Sequence, residues 1–364
     1  MANATTSAYG LASYVDAATQ IAARGHVSQP LTLLRILAAK AAFGLSATEY
    51  AQYELQQKPF ARLADYQTKK QTTALFDRIN PHAERPAVED KLRFHRLCLV
   101  AGLPVPTLHA VLTRRGTQGI DDFPLLDSID AVIDRFHVQD EVRLILKPQS
   151  DALGTGVRFV SLRHGAVFDI AGKPVELAEF AAKLYSDMQR DDYLVQEFVR
   201  PHPQMAALGS GKALGTLRIM SWLQDDSVQI LYALCRIPCG DNPHDNFSGG
   251  STGNLITTID PATGRLGAAY GRRNTRYPRL LERFEYNPDT RMPIAGMAVP
   301  QWAEIRQTVE RAARVFNRLP ALGWDFALSE GGIVIIEANS NPDIISVQAS
   351  SGCGARQVLR PLYG

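Results

Sequence analysis

Asp325, Glu337 and Asn339, two acids and an amide of the types that hold hard cations, fall within residues 323–343, GWDFALSEGGIVIIEANSNPD. Asp325 belongs to the strand-like run WDFAL, and Glu337 and Asn339 to IVIIEAN, with Glu330-Gly331-Gly332 between the runs. Read as a three-residue turn with Gly at the left-handed position, that separator predicts a β-hairpin in which Asp325 lies directly opposite Glu337. Side chains alternate faces along a strand, so Asn339 would share the face of Glu337, and the opposed acid would stand about 4.5–5.5 Å away. Like charges so opposed destabilise a sheet, more so beside Phe326, Ile335 and Ile336, and a cation between them would remove the cost. Carboxylate and amide oxygens suit Mg2+ or Mn2+, and Mg2+ held by one or two carboxylates completes its shell with phosphate oxygens and water. The competing reading is an exposed hairpin with solvated acids.

Three further groups could face a phosphate. Lys147 ends the apolar run LILK, and Ser150, Gly154 and Gly156 follow in a turn between two strands, where backbone N–H groups can approach an anion beside an ammonium. A plain Gly-rich hairpin with a solvated Lys fits the same residues. Arg218 and Arg236 each sit in a largely apolar strand-like run, so each needs a bidentate partner, either a phosphate or a local acid in a structural ion pair. Two familiar patterns fail on context. In Gly209-Ser210-Gly211-Lys212, Ala206 and Ala213 replace the Gly and Ser/Thr that a phosphate-binding P-loop requires. Gly249-Gly250-Ser251-Thr252-Gly253 has nucleophile-elbow spacing but leads into a strand instead of a helix.

The elements that must position these residues change character along the chain. Pro30 opens an amphipathic helix that Gly44 stops, Ser46-Ala47-Thr48-Glu49 fits a capping box, and helical patterning through Arg78 predicts an α-helical region over residues 1–86. From Val88 helices and strands alternate: a helix from Glu89 to Ala101, the strands TLHAVL, VRLILK and VRFVSL, and a helix over Val175 to Gln189. Four strand-like runs follow, YLVQEFV, LGTLRIMSWL, VQILYALCRI and GNLITTI, then a long polar connection and the helix PQWAEIRQTVERAARVFNRL. The stripe Trp302, Ile305, Val309, Ala313, Phe316 and Leu319 on that helix reads as core.

Composition narrows the function class. A chain of 364 residues, 45% hydrophobic and 21% charged, can bury the cores of two or three domains. Its formal charge of +2 is spread over interspersed acids and bases, which argues against nucleic acid as a partner. Four cysteines without a CxxC pair or His cluster argue against a disulfide framework and structural zinc. The first residues lack a signal-peptide pattern and no apolar run approaches a membrane span, so a cytoplasmic protein without membrane insertion is expected.

The ordered set Lys91, LILKP with its glycine loop, LVQEFV, TLRIMS, CRIP, DNFSGG, GWDFAL and IEANSNP resembles the ATP-grasp superfamily. FGLSATEYAQYEL with DKLRFHRLCLVAGLPVP is most similar to its sugar-transfer-associated branch, and the resemblance covers residues 43–350. It implies an α+β fold of two subdomains gripping ATP: a small lid over 87–195 and a large subdomain over 196–364, preceded by the helical region. It also implies metal ligands at Asp325, Glu337 and Asn339, nucleotide-binding lysines at Lys91 and Lys147, and an adenine hinge at Gln196-Glu197-Phe198-Val199. Arg218 and Arg236 would contact the triphosphate or an acyl phosphate, and Asn246, Gly249, Gly250 and Ser251 would line the acceptor pocket. Many ligases of the superfamily carry Arg two residues before the metal Asp, where this chain has Gly323. The chemistry implied is ATP- and Mg2+-dependent joining of a carboxylate to an amine through an acyl phosphate, with ADP and phosphate released. The branch suggests saccharide- or peptide-linked small-molecule substrates. Phosphoryl transfer to a hydroxyl on the same scaffold, and a non-catalytic nucleotide-binding protein, are the alternatives.

Overall fold

The computed structural model describes residues 10–114, 122–150, 156–209, 213–274 and 276–363. Gly154 and residues 210–212 of the P-loop-like run lie outside the described residues. The helical region comprises α1 (Leu11–Gly25), α2 (Gln29–Phe43), α3 (Ala47–Gln52) and α4 (Lys69–Ile79). Pro30 stands in the first turn of α2, and Gly44, at φ 78°, ends it in the left-handed conformation that glycine adopts without strain. Ser46 and Glu49 close the expected capping box on α3. Short 3-10 turns at Leu55–Gln57 and Phe60–Asp65 interrupt the predicted continuous helix around Pro59, which has no N–H to donate.

The single helix expected from Glu89 to Ala101 is two, α5 (Pro86–Glu89) and α6 (Lys91–Val100). Asp90 separates them because its carboxylate accepts the N–H groups of Leu92 and Arg93, at 3.0 and 2.9 Å, and so caps α6.

Two sheets follow. The first contains β1 (Leu108–Leu112), β2 (Leu125–Leu126), β3 (Glu141–Pro148), β4 (Arg158–Arg163), β5 (Ala166–Phe168) and β6 (Tyr193–Glu197), in the order β2-β1-β6-β3-β4-β5. Helices α7 (Ile129–Phe136) and α8 (Leu177–Asp187) cover one face of it, packing on Leu144, Leu146, Tyr193 and Val195. On the other face Leu194 meets Leu92 of α6, and Lys147 and Gln196 share that side by strand alternation.

After α9 (Pro203–Leu208), the second sheet contains β7 (Thr216–Gln224), β8 (Ser227–Ile237), β9 (Leu255–Ile259), β10 (Leu266–Gly271), β11 (Glu282–Phe284), β12 (Ala321–Ser329) and β13 (Gly332–Asn339). Its order is β11-β10-β9-β8-β7-β12-β13. Strands β10 and β11 lie in the stretch expected to be a polar connection, because LGAAYG lacks the branched and aromatic residues that mark a strand. This sheet has a core on both faces. Leu217, Ile219, Trp324 and Phe326 pack against α10 (Trp302–Val315), whose predicted stripe is buried there, and against Phe94 and Cys98 of α6. Met220, Tyr232, Leu234 and Ile256 point the other way, onto Tyr14, Ile36, Tyr50 and Phe76 of the helical region. The closing helices α11 (Ile345–Ser351) and α12 (Ala355–Val358) add Val347 and Ala355 to that second core.

Asn80 ties the helical region to the second sheet. Fully buried, its amide donates to the carbonyls of Ala321 and Ser340, both at 2.6 Å, and accepts the Ala321 N–H at 3.1 Å. One side chain thus joins the first residue of β12 to the residue after β13. Among the described residues no helix is long and apolar enough to cross a membrane.

Candidate active site

Asp325 pairs with Glu337 across β12 and β13, but the turn is shorter than predicted. The strands meet at Ser329 and Gly332, leaving only Glu330 and Gly331 between them, and Phe326 pairs with Ile335. Continued unchanged, that register would set Asp325 opposite Ile336 and turn Glu337 to the core side with Ile333 and Ile335. A β-bulge at Ile336 inserts one residue and restores the Asp325–Glu337 pair. The burial pattern records the shift: Ile333, Ile335 and Ala338 are buried, whereas Ile336 and Glu337 are consecutive and both half-buried.

Arg218 lies beside Asp325 on β7, its direct partner in the ladder. Its guanidinium is bidentate, with Nε donating to Oδ1 and Nη2 to Oδ2 at 2.7 Å, and both side chains are under 10% exposed. Arg236 of β8 donates to the same Oδ2 at 3.3 Å. Burial alone would raise the Asp325 carboxyl, but the charges of Arg218 and Arg236 outweigh it and hold the group down at about 2. Burial and then the Asp325 charge push Glu337 up. The cation that two opposed acids demand is therefore supplied first by Arg218, which decides its open assignment in favour of a local acid.

Lys147 reaches across from the first sheet. Its ammonium donates to the carbonyl of Ile336, the bulged residue, at 3.5 Å. Burial pulls Lys147 down to about 8, with Glu337 opposing the shift and Lys91 adding to it. Lys91 is placed by backbone: its N–H donates to the Gln149 carbonyl at 3.0 Å, and the Gln149 amide donates to the capping Asp90 at 2.9 Å. Residues from β3, α6, β7, β8, β12 and β13 thus converge where the two sheets meet, four cations around two opposed carboxylates. An excess of positive charge there suits a polyanion such as a triphosphate.

A family model for sugar-transfer associated ATP-grasp proteins matches residues 70–362. The chain belongs to that family. No curated protein matches the sequence. Among solved structures, similar ones include D-alanyl-alanine synthetase A from Vibrio cholerae, at 11% identity over 77% of this chain and 62% of that one, with a TM-score of 0.41. L-amino acid ligase from Bacillus licheniformis is 11% identical over 73% of this chain and 43% of that one, with a TM-score of 0.36. D-alanine–D-alanine ligase from Bacillus anthracis, complexed with ATP, is 11% identical over 78% and 67%, with a TM-score of 0.38. The chain thus spans less than two thirds of the length of the first two.

In this ATP-grasp chain the Gly323 departure has a steric reason. A Cβ there would come 2.8 Å from Pro342 Cβ and 3.4 Å from Arg218 Cδ, so the guanidinium beside Asp325 arrives from the neighbouring strand. The other expected positions divide. Gln196 is buried at the end of β6, but the Glu197 carboxylate accepts the Thr107 N–H at 2.8 Å and is committed within the protein. Phe198 N–H donates to Arg143 and its ring meets Phe159 edge-on at 5.2 Å, while Val199 is buried. Ser150 N–H donates to Asp191 at 2.7 Å, and Gly156, at φ 78°, lies against Tyr193 and Pro148.

The loop Asn246–Ser251 is held by its own hydrogen bonds. The Asn246 carbonyl accepts Thr252 and Asn254, Ser251 Oγ donates to Ser248, and Gly249 and Gly250, at φ 63° and 87°, pack against Gln52 and Arg272. Asp245, missed in the sequence, anchors this loop. Buried, it accepts both the N–H of Thr216 at 2.8 Å and its hydroxyl at 2.5 Å, and Thr216 in turn meets Arg236 at 3.4 Å. An acid just before NFSGG was its signal.

The donor set fits a divalent cation that takes phosphate ligands. Among the described residues no three His, Cys, Asp or Glu side chains form a cage. Among the described residues Glu337 carries no guanidinium bond, Asp325 shares its oxygens with two arginines, and the buried Asn339 amide nitrogen without a partner is a donor that a phosphate oxygen would satisfy. Such a set leaves most of the shell to oxygens of a ligand, as Mg2+ sites do.

Proposed function

We propose that this chain is an ATP- and Mg2+-dependent carboxylate–amine ligase working through an acyl phosphate. The observation that carries this reading is the bond from Lys147 of the first sheet to the Ile336 carbonyl of the second, beside Glu337 and the Arg218–Asp325 pair. It places a cation from one sheet against the acids of the other, where a nucleotide between them would touch both. Residues 87–195 then act as the lid, 196–364 as the larger gripping part, and 1–86 as support for the latter.

Glu337 and Asn339, with Asp325, hold Mg2+, which when bound neutralises charge on the β- and γ-phosphates. Lys147 and Lys91 bind the phosphates, and Gln196 to Val199 receive the adenine through Gln196 and backbone groups. Arg218 is consumed in keeping Asp325 ionised, so Arg236, whose Nη1 alone is bonded, to Asp325 and Thr216, balances charge on the transferred phosphoryl. A substrate carboxylate oxygen bonds to the γ-phosphorus as the bond to the bridging oxygen breaks and ADP leaves. An amine then attacks the acyl carbon, phosphate departs, and the amine proton passes to solvent. Asn246, Gly249, Gly250 and Ser251 line the acceptor side. Saccharide- or peptide-linked substrates suit a family named for sugar transfer.

A screen of carboxylate and amine pairs for ADP release, read by mass spectrometry for the amide, tests the reading. Hydroxylamine added to a productive carboxylate should yield a hydroxamate, which only an acyl phosphate gives. ADP release without hydroxamate or amide overturns the ligase, and a phosphorylated product in the mass spectrum then assigns the transfer to a hydroxyl.

A further inference from the structure

The helical region holds a cavity of about 490 Å³, lined by residues of α1, α2 and α3, by the turn that follows α3, and by Leu280 just before β11. Small-molecule sites span roughly 300–1,000 Å³, so the space takes a ligand. None of its lining residues belongs to the Lys147–Asp325 site. Ile21, Val27, Leu31 and Leu280 give it an apolar wall.

The polar part of the lining is unfinished in two places. Half-buried Arg35 donates from Nε to the Tyr50 hydroxyl at 2.8 Å, and from Nη2 to the carbonyls of Lys58 and, at 3.5 Å, Leu55. All three acceptors are neutral, and among the described residues no carboxylate pairs with this guanidinium and Nη1 has no partner. Tyr50 is fully buried, and since it accepts from Arg35 its own O–H is left to donate, with no acceptor among the described residues. A guanidinium and a hydroxyl in contact, both on the cavity wall, suit a carboxylate.

The second place has the opposite demand. Gln56 Oε1 is buried and accepts no hydrogen bond, and Glu54 is met by Arg24 only at 3.7 Å, while Arg24 donates to the Leu281 carbonyl at 2.6 Å. Two acceptors on the same wall, one of them charged, suit an ammonium. Glu54 also sits at φ 51° and ψ 41°, a left-handed conformation that costs a residue with a side chain, and such strain is kept at binding sites.

We propose that this cavity binds an α-amino acid with an apolar side chain. Its carboxylate meets Arg35 and Tyr50, its ammonium meets Glu54 and Gln56, and its side chain lies against Ile21, Val27, Leu31 and Leu280. The site needs nothing from the ligase reading and gives the helical region a ligand of its own.

Calorimetric titration of the full chain with L-leucine and L-phenylalanine tests this. Each is compared with its amine-free analogue, 4-methylpentanoate or 3-phenylpropionate, and with its carboxylate-free analogue, isopentylamine or phenethylamine. At least one amino acid should bind, and its two analogues should bind about tenfold more weakly or worse, as loss of a charge-assisted contact requires. Arg35→Met and Gln56→Leu should each weaken the amino acid by about tenfold or more. Should Arg35→Met fail to fold, Gln56→Leu carries the test. It replaces an unsatisfied buried oxygen by an apolar group, so the free variant should melt no lower than wild type while its affinity falls. No binding of either amino acid, wild-type affinity in Gln56→Leu, or an amine-free analogue that binds as well as its amino acid overturns the site.

Discussion

Arg218 is bound so fully by Asp325 that each makes the other tolerable in a dry place. Removing one partner of such a pair strands a buried charge, which costs about 3–5 kcal/mol. Arg218→Met is therefore expected to lower unfolding stability by about that amount in urea denaturation, and Arg218→Met with Asp325→Leu by clearly less, since neither charge is then left alone. Lys147 offers a pH test. Its ammonium is held near 8 by burial, and a phosphate favours the protonated form, so AMPPNP affinity should be full below pH 8 and fall as pH rises through it. Titrations of wild type and Lys147→Met across pH 6.5 to about 9.5 check this; a fall of equal size in the variant would refute it.

The hairpin owes its chemistry to one inserted residue. Inserting one Ala after Ile336 would set that Ala opposite Asp325 and move Glu337 to the place of Ala338, on the buried face opposite Trp324. The insertion variant is expected to lose Mg2+-dependent AMPPNP binding and to melt several degrees lower, measured by calorimetry and thermal denaturation; retained binding would show that the placement of Glu337 opposite Asp325 has no part in it. The pairing of Asp325 with Glu337 was legible in the sequence, but for a different reason. Glu330-Gly331-Gly332 supports either a three-residue turn or a two-residue turn with a later bulge, and both bring the same two acids together. Which one forms depends on packing of Ile333, Ile335 and Ala338, which only the folded sheet decides. Lys147 and α6 were likewise legible from local pattern. Asp245 was signalled only by its place before NFSGG, and it acquires meaning only when β7 and the glycine loop meet in space.

Across the molecule, the family match begins at residue 70, yet α1 to α3 precede it and pack on the same core as Met220, Tyr232 and Leu234. Removing residues 1–66 would uncover those side chains on one face of the second sheet. At roughly 25 cal/mol per Å² of apolar area, exposing that many aromatic and aliphatic groups exceeds the margin of a typical fold. The truncated chain should accumulate as insoluble protein or bind the dye ANS strongly, whereas a soluble, ANS-negative product would count against this role.

Asn80 gives the hairpin a further property. By clasping the first residue of β12 and the residue after β13, it holds the open end of the hairpin shut from outside, independently of anything that binds within it. The two acids consequently sit on a stationary jaw. On the proposed ligase reading, closure around ATP falls to the opposite sheet, with Lys147 as the tooth that travels.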